Sequence, residues 1–405
     1  MKTRHVRSLT AIAVLSALAL VAAACGDDEE AAPPPAAPQP EAPAPPPPAD
    51  EPPPPPPADE PPPPPEPADE MPSGPPHTAE LPWGTFTLAD SIADKIANNG
   101  EFNFVLSIEG TAIPIFGAAM DEGWSRGSGE ISAEHGVDIS ARTIGPLQTD
   151  IPAQVAEIDS LIDAGQIDCL AFEAHEPGPY VDIIAKAVDA GIPTFGVNAD
   201  SPDSKRFAFF ALDELSAGTL AGTLTGEWAV DNGIALEKAG LLTGSVEGPW
   251  AQNRMNGFMA GISAVLPDLE FVNGPNTDIE SQGWDPPQQY AASEAWILGH
   301  PDVDIIFHTD QGVEFVAKVI ADQGLTGDMY TSGFNMNPAI ADFISDGVVV
   351  VTMVQGFSNQ AYNGANACGD FLFKGEFETG HVILDPLAAT QDNVDSVDWS
   401  QPENQ

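Results

Sequence analysis

Two kinds of residue in this chain could do chemistry. One is a nucleophile motif: Gly123-Trp124-Ser125-Arg126-Gly127 has Gly-x-Ser-x-Gly spacing, which in a hydrolase needs a strand before the serine and a helix after it. Here it falls at the end of a helical stretch beginning near Phe116, so the spacing is read as coincidence and an exported hydrolase using Ser125 is the weaker alternative. The other kind is planar: Trp250 and Trp284 lie in loops bearing Gly and Pro, Asp310 directly follows the apolar run 305–309, and Arg254 belongs to a chain with only 13 Lys and Arg. Flat rings take the C–H face of a sugar, while guanidinium, amide and carboxylate groups pair its hydroxyls, so this set fits non-covalent recognition. Trp284 is assigned to such a pocket and Trp250 to the core. His175 and His308 have no companion His or Cys at metal-ligand spacing; they are read as packing or surface residues, and no metal or cofactor is expected. There is no P-loop, so any ATP hydrolysis belongs to another chain.

The elements that must hold these residues begin at residue 102. Strand-like runs at 102–108, 137–141, 169–172 and 194–197 alternate with helical stripes from Phe116, at Val155/Ile158/Leu161/Ile162 and at Val181/Ile184/Val188. A bridging strand near Phe209 and a helix from about Leu215 lead into a second series. Strands at 240–243, 269–273, 305–308, 330–333 and 348–354 alternate there with helices at 253–265, 288–298, 313–323 and 338–345. Alternation of this kind specifies an α/β fold of parallel sheets covered on both faces, here two Rossmann-like lobes. In open sheets of this class ligands sit beyond the carboxyl ends of the strands.

The start of the chain reads as an export signal. Lys2, Arg4 and Arg7 precede an apolar stretch at 9–21, and Ala22-Ala23-Ala24 precede Cys25. The small-residue run ending at Cys25-Gly26 resembles the lipobox of bacterial lipoproteins, which implies a signal peptide over 1–24 and lipidation at Cys25. The family's usual Leu three residues before the cysteine is Ala22 here. Residues 25–76 are rich in proline and acid, with Pro-Ala-Asp-Glu recurring at 48–51, 57–60 and 67–70. Proline lacks the N–H and fixes φ, so this tract predicts a disordered, extended stalk without a core.

Charge excludes one class of partner. The net charge is −48; nucleic acid needs a basic face to neutralise phosphates, so it is not a partner. Twelve acids lie between Asp27 and Glu70, leaving 49 of the 61 for the folded part, so its surface is acidic and suited to saline surroundings. Of the three cysteines, Cys169 lies in an apolar run and Cys368 in a helix-like stretch. Two separately buried thiols are favoured over a bridge.

Gly191-Ile192-Pro193-Thr194-Phe195-Gly196-Val197-Asn198-Ala199-Asp200, together with Gly299-His300-Pro301-Asp302-Val303-Asp304-Ile305-Ile306-Phe307 and Gly333-Phe334-Asn335, resembles ribose-type periplasmic sugar-binding proteins. The similarity spans about residues 102–385 in order and spacing. It implies the type I periplasmic-binding-protein fold: two lobes joined by a three-stranded hinge, with crossings near Leu212, Gln355 and Leu387. The lobes then comprise 77–212 plus 356–386 and 213–355 plus 387–405. It also implies a sugar held in the interlobe cleft by Phe116 (beside Pro114), Asn198, Asp200, Arg254, Trp284, Asp310, Asn335 and Gln355. Asn198 and Asn335 stand where the family has Asp, and Asp310 where it has Asn, so the hydroxyl code differs from that for ribose. The partners implied are a small polar solute, an ABC permease and its ATPase, and the membrane through the lipid anchor, with the binding protein itself a monomer. A ligand-sensing lipoprotein serving a membrane receptor is the alternative within the same fold.

Overall fold

The structure is a computed structural model and describes residues 78–405, except Pro114 and Asn276. The signal segment 1–24, Cys25 and the proline tract 25–76 lie outside the described residues, as does Pro114. A hairpin, β1 (Thr78–Leu81) and β2 (Gly84–Thr87), leads into α1 (Asp90–Asn98). The first series is β3 (Phe102–Ser107), α2 (Phe116–His135), β4 (Ile139–Ile144), α3 (Ile151–Asp163), β5 (Cys169–Phe172), α4 (Val181–Asp189), β6 (Thr194–Val197) and β7 (Ala208–Ala211). The second begins α5 (Glu214–Asn232), β8 (Lys238–Leu242), α6 (Pro249–Val265), β9 (Glu270–Phe271) and α7 (Pro286–Gly299). It continues β10 (Ile305–His308), α8 (Gly312–Asp322), β11 (Tyr330–Phe334), α9 (Pro338–Ser345) and β12 (Val349–Val354). Then follow α10 (Phe357–Gly369), β13 (Gly380–Ile383) and β14 (Leu387–Ala389).

The strands form two six-stranded sheets of matching order, β13-β7-β6-β5-β3-β4 and β14-β12-β11-β10-β8-β9. Within these two sheets every pairing is parallel except β12 with β14, and β1 and β2 pair antiparallel apart from them. Successive side chains on a strand face opposite ways, so Ile305 and Phe307 pack into one apolar layer and Ile306 into the other. That is why these strands read as unbroken apolar runs rather than alternating ones. The chain passes between the sheets three times: from β7 to α5, from β12 to α10 and from β13 to β14.

Three features differ from the sequence reading. The β1–β2 hairpin was not expected; it buries Leu81 and Phe86 against the first sheet's core. α2 continues through His135, so Ser125 sits on an exposed face in the interior of a helix and no strand-to-helix elbow exists around it. Cys169 and Cys368 are joined in a disulfide between β5 and α10, with Cα atoms 5.9 Å apart. Periodicity predicts that each cysteine is buried, but not that a strand and a helix 199 residues apart turn those side chains toward each other.

Glycines set one helix pair closely enough to position a candidate site residue. A Cβ on Gly218 of α5 would lie 2.3 Å from the Arg254 carbonyl oxygen, and one on Gly257 of α6 would lie 2.3 Å from that of Leu215. Only glycine allows this approach, which holds α6 and Arg254 against the start of α5.

Candidate ligand-binding cleft

In each sheet one strand has its two nearest sequence neighbours on opposite sides: β3 lies between β4 and β5, and β8 between β9 and β10. The loops leaving such strands diverge and open a crevice at their carboxyl ends. A cavity of about 50 Å³ lies there, lined by Glu109, Phe116, Glu173, His175 and Asn198 from the first sheet's side. Trp250, Arg254, Trp284, Asp310 and Asn335 line it from the second, with Gln355 and Phe357 at a crossing. It adjoins a second cavity of about 330 Å³ that shares His175, Asn198 and Trp250.

Seven of the eight residues proposed from the sequence line the first cavity: Phe116, Asn198, Arg254, Trp284, Asp310, Asn335 and Gln355. Asp200 does not. Both its carboxylate oxygens accept from Arg206, at 2.5 and 2.6 Å, and it borders only the second cavity. The guanidinium six residues on claims the carboxylate.

Arg254 is 3% exposed and almost fully engaged. It donates to both oxygens of Glu214 (2.6 and 2.8 Å), to Gln355 Oε1 (2.6 Å) and to the Thr309 carbonyl (2.8 Å). Its plane lies over the rings of Trp250 and Phe334, at 4.8 and 4.2 Å. Of five N–H groups, four are thus committed within the protein and one remains for a ligand. Gln355 donates in turn to Asn335 Oδ1, so the Asn335 amide nitrogen is left to face the cavity. Asn198 donates to Gln360 Oε1 at 3.1 Å, and Gln360 donates to the Gln355 carbonyl at 2.9 Å.

Asp310 is held as rigidly. Its Oδ2 accepts from the Gly244 N–H (2.7 Å) and Thr309 Oγ1 (3.0 Å), and its Oδ1 from the Gly312 N–H (3.1 Å). The Asp310 N–H donates to His308 Nδ1 at 3.3 Å, so that nitrogen is the acceptor and His308 Nε2 carries the proton toward Gln282 Oε1, 3.2 Å away. Burial lowers the His308 pKa and keeps the ring neutral.

The opposite wall contains residues the sequence reading missed. Glu109 follows β3, and Glu173 and His175 follow β5. Burial and the neighbouring Glu109 push Glu173 well above the usual carboxylate range. Burial pulls His175 down, but Glu109, Glu173 and Glu176 outweigh it and raise the ring to about 9. Gln154 donates to the Glu173 carbonyl (3.0 Å) and accepts from the Tyr180 hydroxyl (2.5 Å), bracing this loop from behind. His175 is therefore neither a core nor a surface residue: its ring lies 6.3 and 6.1 Å from those of Trp250 and Trp284, which both wall the cavity. The signal available in sequence was position alone, since Glu109, Glu173 and Gln311 all lie just beyond strand ends.

A two-lobed α/β molecule with a polar and aromatic cleft at its switch points is built to hold a small solute. The periplasmic binding protein domain family matches residues 104–376, more than half of the chain, and the protein belongs to that family. Its members bind solutes rather than transform them and work outside the cytoplasm. Similar solved structures include a glucose-galactose binding protein from Geobacillus stearothermophilus (22% identity, TM-score 0.61, covering 72% of this chain and 98% of that one). An ABC transporter solute-binding protein from Burkholderia graminis in complex with D-arabinose shares 20% identity at TM-score 0.64, over 73% of this chain and 97% of that one. A carbohydrate transporter from Acidothermus cellulolyticus in complex with myo-inositol shares 16% at TM-score 0.61, over 73% and 96%. No curated protein sequence matches. Among the described residues no helix is long and apolar enough to cross a membrane.

Proposed function

We propose that this protein is the substrate-binding component of an ABC-type importer and that its cleft takes a monosaccharide or a related polyol. The observation that carries this reading is convergence. Amide and guanidinium donors at Asn335 and Arg254, the amide of Asn198 and the rings of Phe116, Trp250 and Trp284 reach one cavity from both sheets. Aromatic faces with a few fixed polar groups are what a hydroxyl-rich ring requires. The relatives solved with D-arabinose and with myo-inositol support the same ligand class. The three connections near Leu212, Gln355 and Leu387 act as a hinge, and the solute binds the closed form more tightly than the open one. On this reading Cys25 carries the lipid anchor, the proline tract spaces the folded part from the membrane, and a separate permease and ATPase receive the solute from a monomeric binding protein. A thermal-shift screen of pentoses, hexoses, polyols and nucleosides, followed by calorimetry on hits, tests it. A pentose, hexose or polyol that raises the melting temperature and binds saturably is expected. A panel that leaves the protein unchanged throughout would sink the proposal.

A further inference from the structure

We propose that Glu109, Glu173 and His175 form a divalent-metal site in the wall of the cleft, with hydroxyls of the bound solute completing the metal's coordination. This rests on the cleft being the solute site. The candidate ligand atoms of the three side chains lie within 4.8 Å of one another, and all three residues are buried. They come from the two strand ends, β3 and β5, whose loops diverge at the first sheet's switch point, so they sit where a ligand is expected.

Charge and hydrogen bonding set this cluster apart from an ordinary acidic patch. Among the described residues every Lys and Arg except Arg142 pairs with a carboxylate elsewhere. Neither Glu109 nor Glu173 has a Lys or Arg partner, and His175 is the cationic contact of Glu109. Two adjacent buried carboxylates that share one imidazole and no Lys or Arg are costly. The His175 ring, 6% exposed, holds Nδ1 3.1 Å from Glu109 Oε2 at an angle that makes no hydrogen bond, so a buried ring nitrogen is left unsatisfied among these oxygens. An ion bonded to both carboxylates and the imidazole would neutralise the acids and satisfy that nitrogen together. Two carboxylate oxygens and an imidazole nitrogen suit zinc or manganese more than magnesium, and three protein ligands leave positions open toward the cavity. The second layer of contacts is in place: Thr149 Oγ1 donates to Glu109 Oε2 at 2.9 Å, and the Glu109 N–H donates to Glu173 Oε2 at 3.0 Å.

The test uses the mature protein stripped with chelator and held in about 0.5 M NaCl, so that diffuse attraction of cations to its acidic surface is screened. Calorimetry with zinc, manganese and cobalt chloride is expected to show one saturable site, and cobalt an absorption spectrum that includes an imidazole ligand. Glu173→Gln and His175→Gln should each weaken binding at least about ten-fold, with circular dichroism showing that both variants remain folded. If either loses its fold, the wild-type cobalt spectrum still decides the matter. The solute screen is repeated with chelator and with zinc. A solute that binds equally well in both, or metal binding that neither variant weakens, or no saturable metal binding up to about 1 mM, overturns the metal site. The first outcome leaves the solute-binding reading intact and identifies an ordinary polar wall. A saturable metal with no solute from the panel upholds the site and sinks that reading instead.

Discussion

Asn198 and Asn335 occupy the same place in the two lobes: each follows the strand third from the β13 or β14 edge of its sheet, and each has a positive φ, 62° and 74°. Each N–H donates to the neighbouring strand, to Phe210 and Met353 respectively, and each side-chain amide joins a glutamine on or beside the second crossing. Asparagine is one of few residues that tolerates this left-handed conformation, so backbone geometry and amide chemistry are chosen together. Asn335→Asp keeps an oxygen for the Gln355 amide and much of the conformational tolerance, but removes the two donors facing the cavity. It is expected to lower solute affinity about ten-fold or more while shifting unfolding free energy by less than about 1 kcal/mol. Asn335→Val, which cannot relax at this φ, should instead lower stability by about 1–2 kcal/mol. Calorimetry and urea denaturation separate the two effects; unchanged affinity in Asn335→Asp would remove this residue from the site.

Arg254 joins stability and recognition. Its pairing with Glu214 is buried on both sides, at 3% and 11% side-chain exposure. Removing one partner leaves a buried charge, so Arg254→Ala should cost about 3–5 kcal/mol of stability as well as binding. Glu214→Gln removes the ion pair but keeps the guanidinium between Trp250 and Phe334 and the N–H left for a ligand. It should lower the melting temperature and leave affinity within a few-fold of wild type. Equal loss of affinity in both variants would show that Arg254 acts only as a brace.

The central strands were legible because they are buried on both faces and appear as runs such as 305–308, each followed by a helical stripe, whereas the exposed edge strands β13 and β14 were not. The hairpin at the start of the folded part was not, since its two four-residue strands are too short to carry a pattern. In the cleft, aromatic and amide residues were visible by type, whereas Glu109 and Glu173 were not. A lone acid after a strand reads as a solvated turn residue until tertiary structure brings a second acid and a histidine beside it. Asp200 shows the converse: Arg206, six residues on, takes its carboxylate away from the first cavity. The Cys169–Cys368 bridge depends on how α10 returns to the first sheet, which no local pattern encodes.

His308 makes stability depend on pH. Its folded pKa lies below the ordinary 6.5 because burial disfavours the imidazolium, with Asp310 opposing that effect only in part. As pH falls below 6.5 the unfolded chain takes up this proton before the folded one does. Stability contributed by the neutral ring is therefore present above pH 6.5 and lost as pH falls from there toward the folded value, by at most about 1.4 kcal/mol per pH unit. Denaturant titrations between pH 7.5 and 5.5 should show wild type losing more stability than His308→Gln. Parallel curves would mean that the ring does not stay neutral on folding.

The disulfide ties the returning helix to the lobe it rejoins. Cys169 and Cys368 are both fully buried, and the bridge closes a loop with a sequence separation of 199. Cross-linking so distant a pair restricts the unfolded chain, with removal of a native bridge costing about 2–5 kcal/mol. Cys169→Ala/Cys368→Ala should lower the denaturant midpoint accordingly while leaving the second lobe's packing unchanged. Alkylation of the unfolded, unreduced protein should find neither cysteine reactive; two labelled thiols would overturn the bridge.

Surface charge should make the whole fold salt-dependent. Forty-nine acidic residues beyond residue 70 face ten Lys and Arg, and nine of those ten are ion-paired among the described residues. Most acids are therefore left to repel one another across the surface. Raising salt from about 0.1 M to 1 M shortens the screening length from about 10 Å to 3 Å, below the spacing of most unpaired surface charges. Because the unfolded chain spreads the same charges farther apart, screening favours the folded state. The melting temperature in sodium chloride is expected to rise by several degrees over that range, and to rise less in a variant with exposed acids such as Asp90, Asp94, Glu130 and Asp231 changed to their amides. A melting temperature that is flat or falling with salt would show that these acids are already screened by ions bound at low concentration, or that their repulsion is too weak to register.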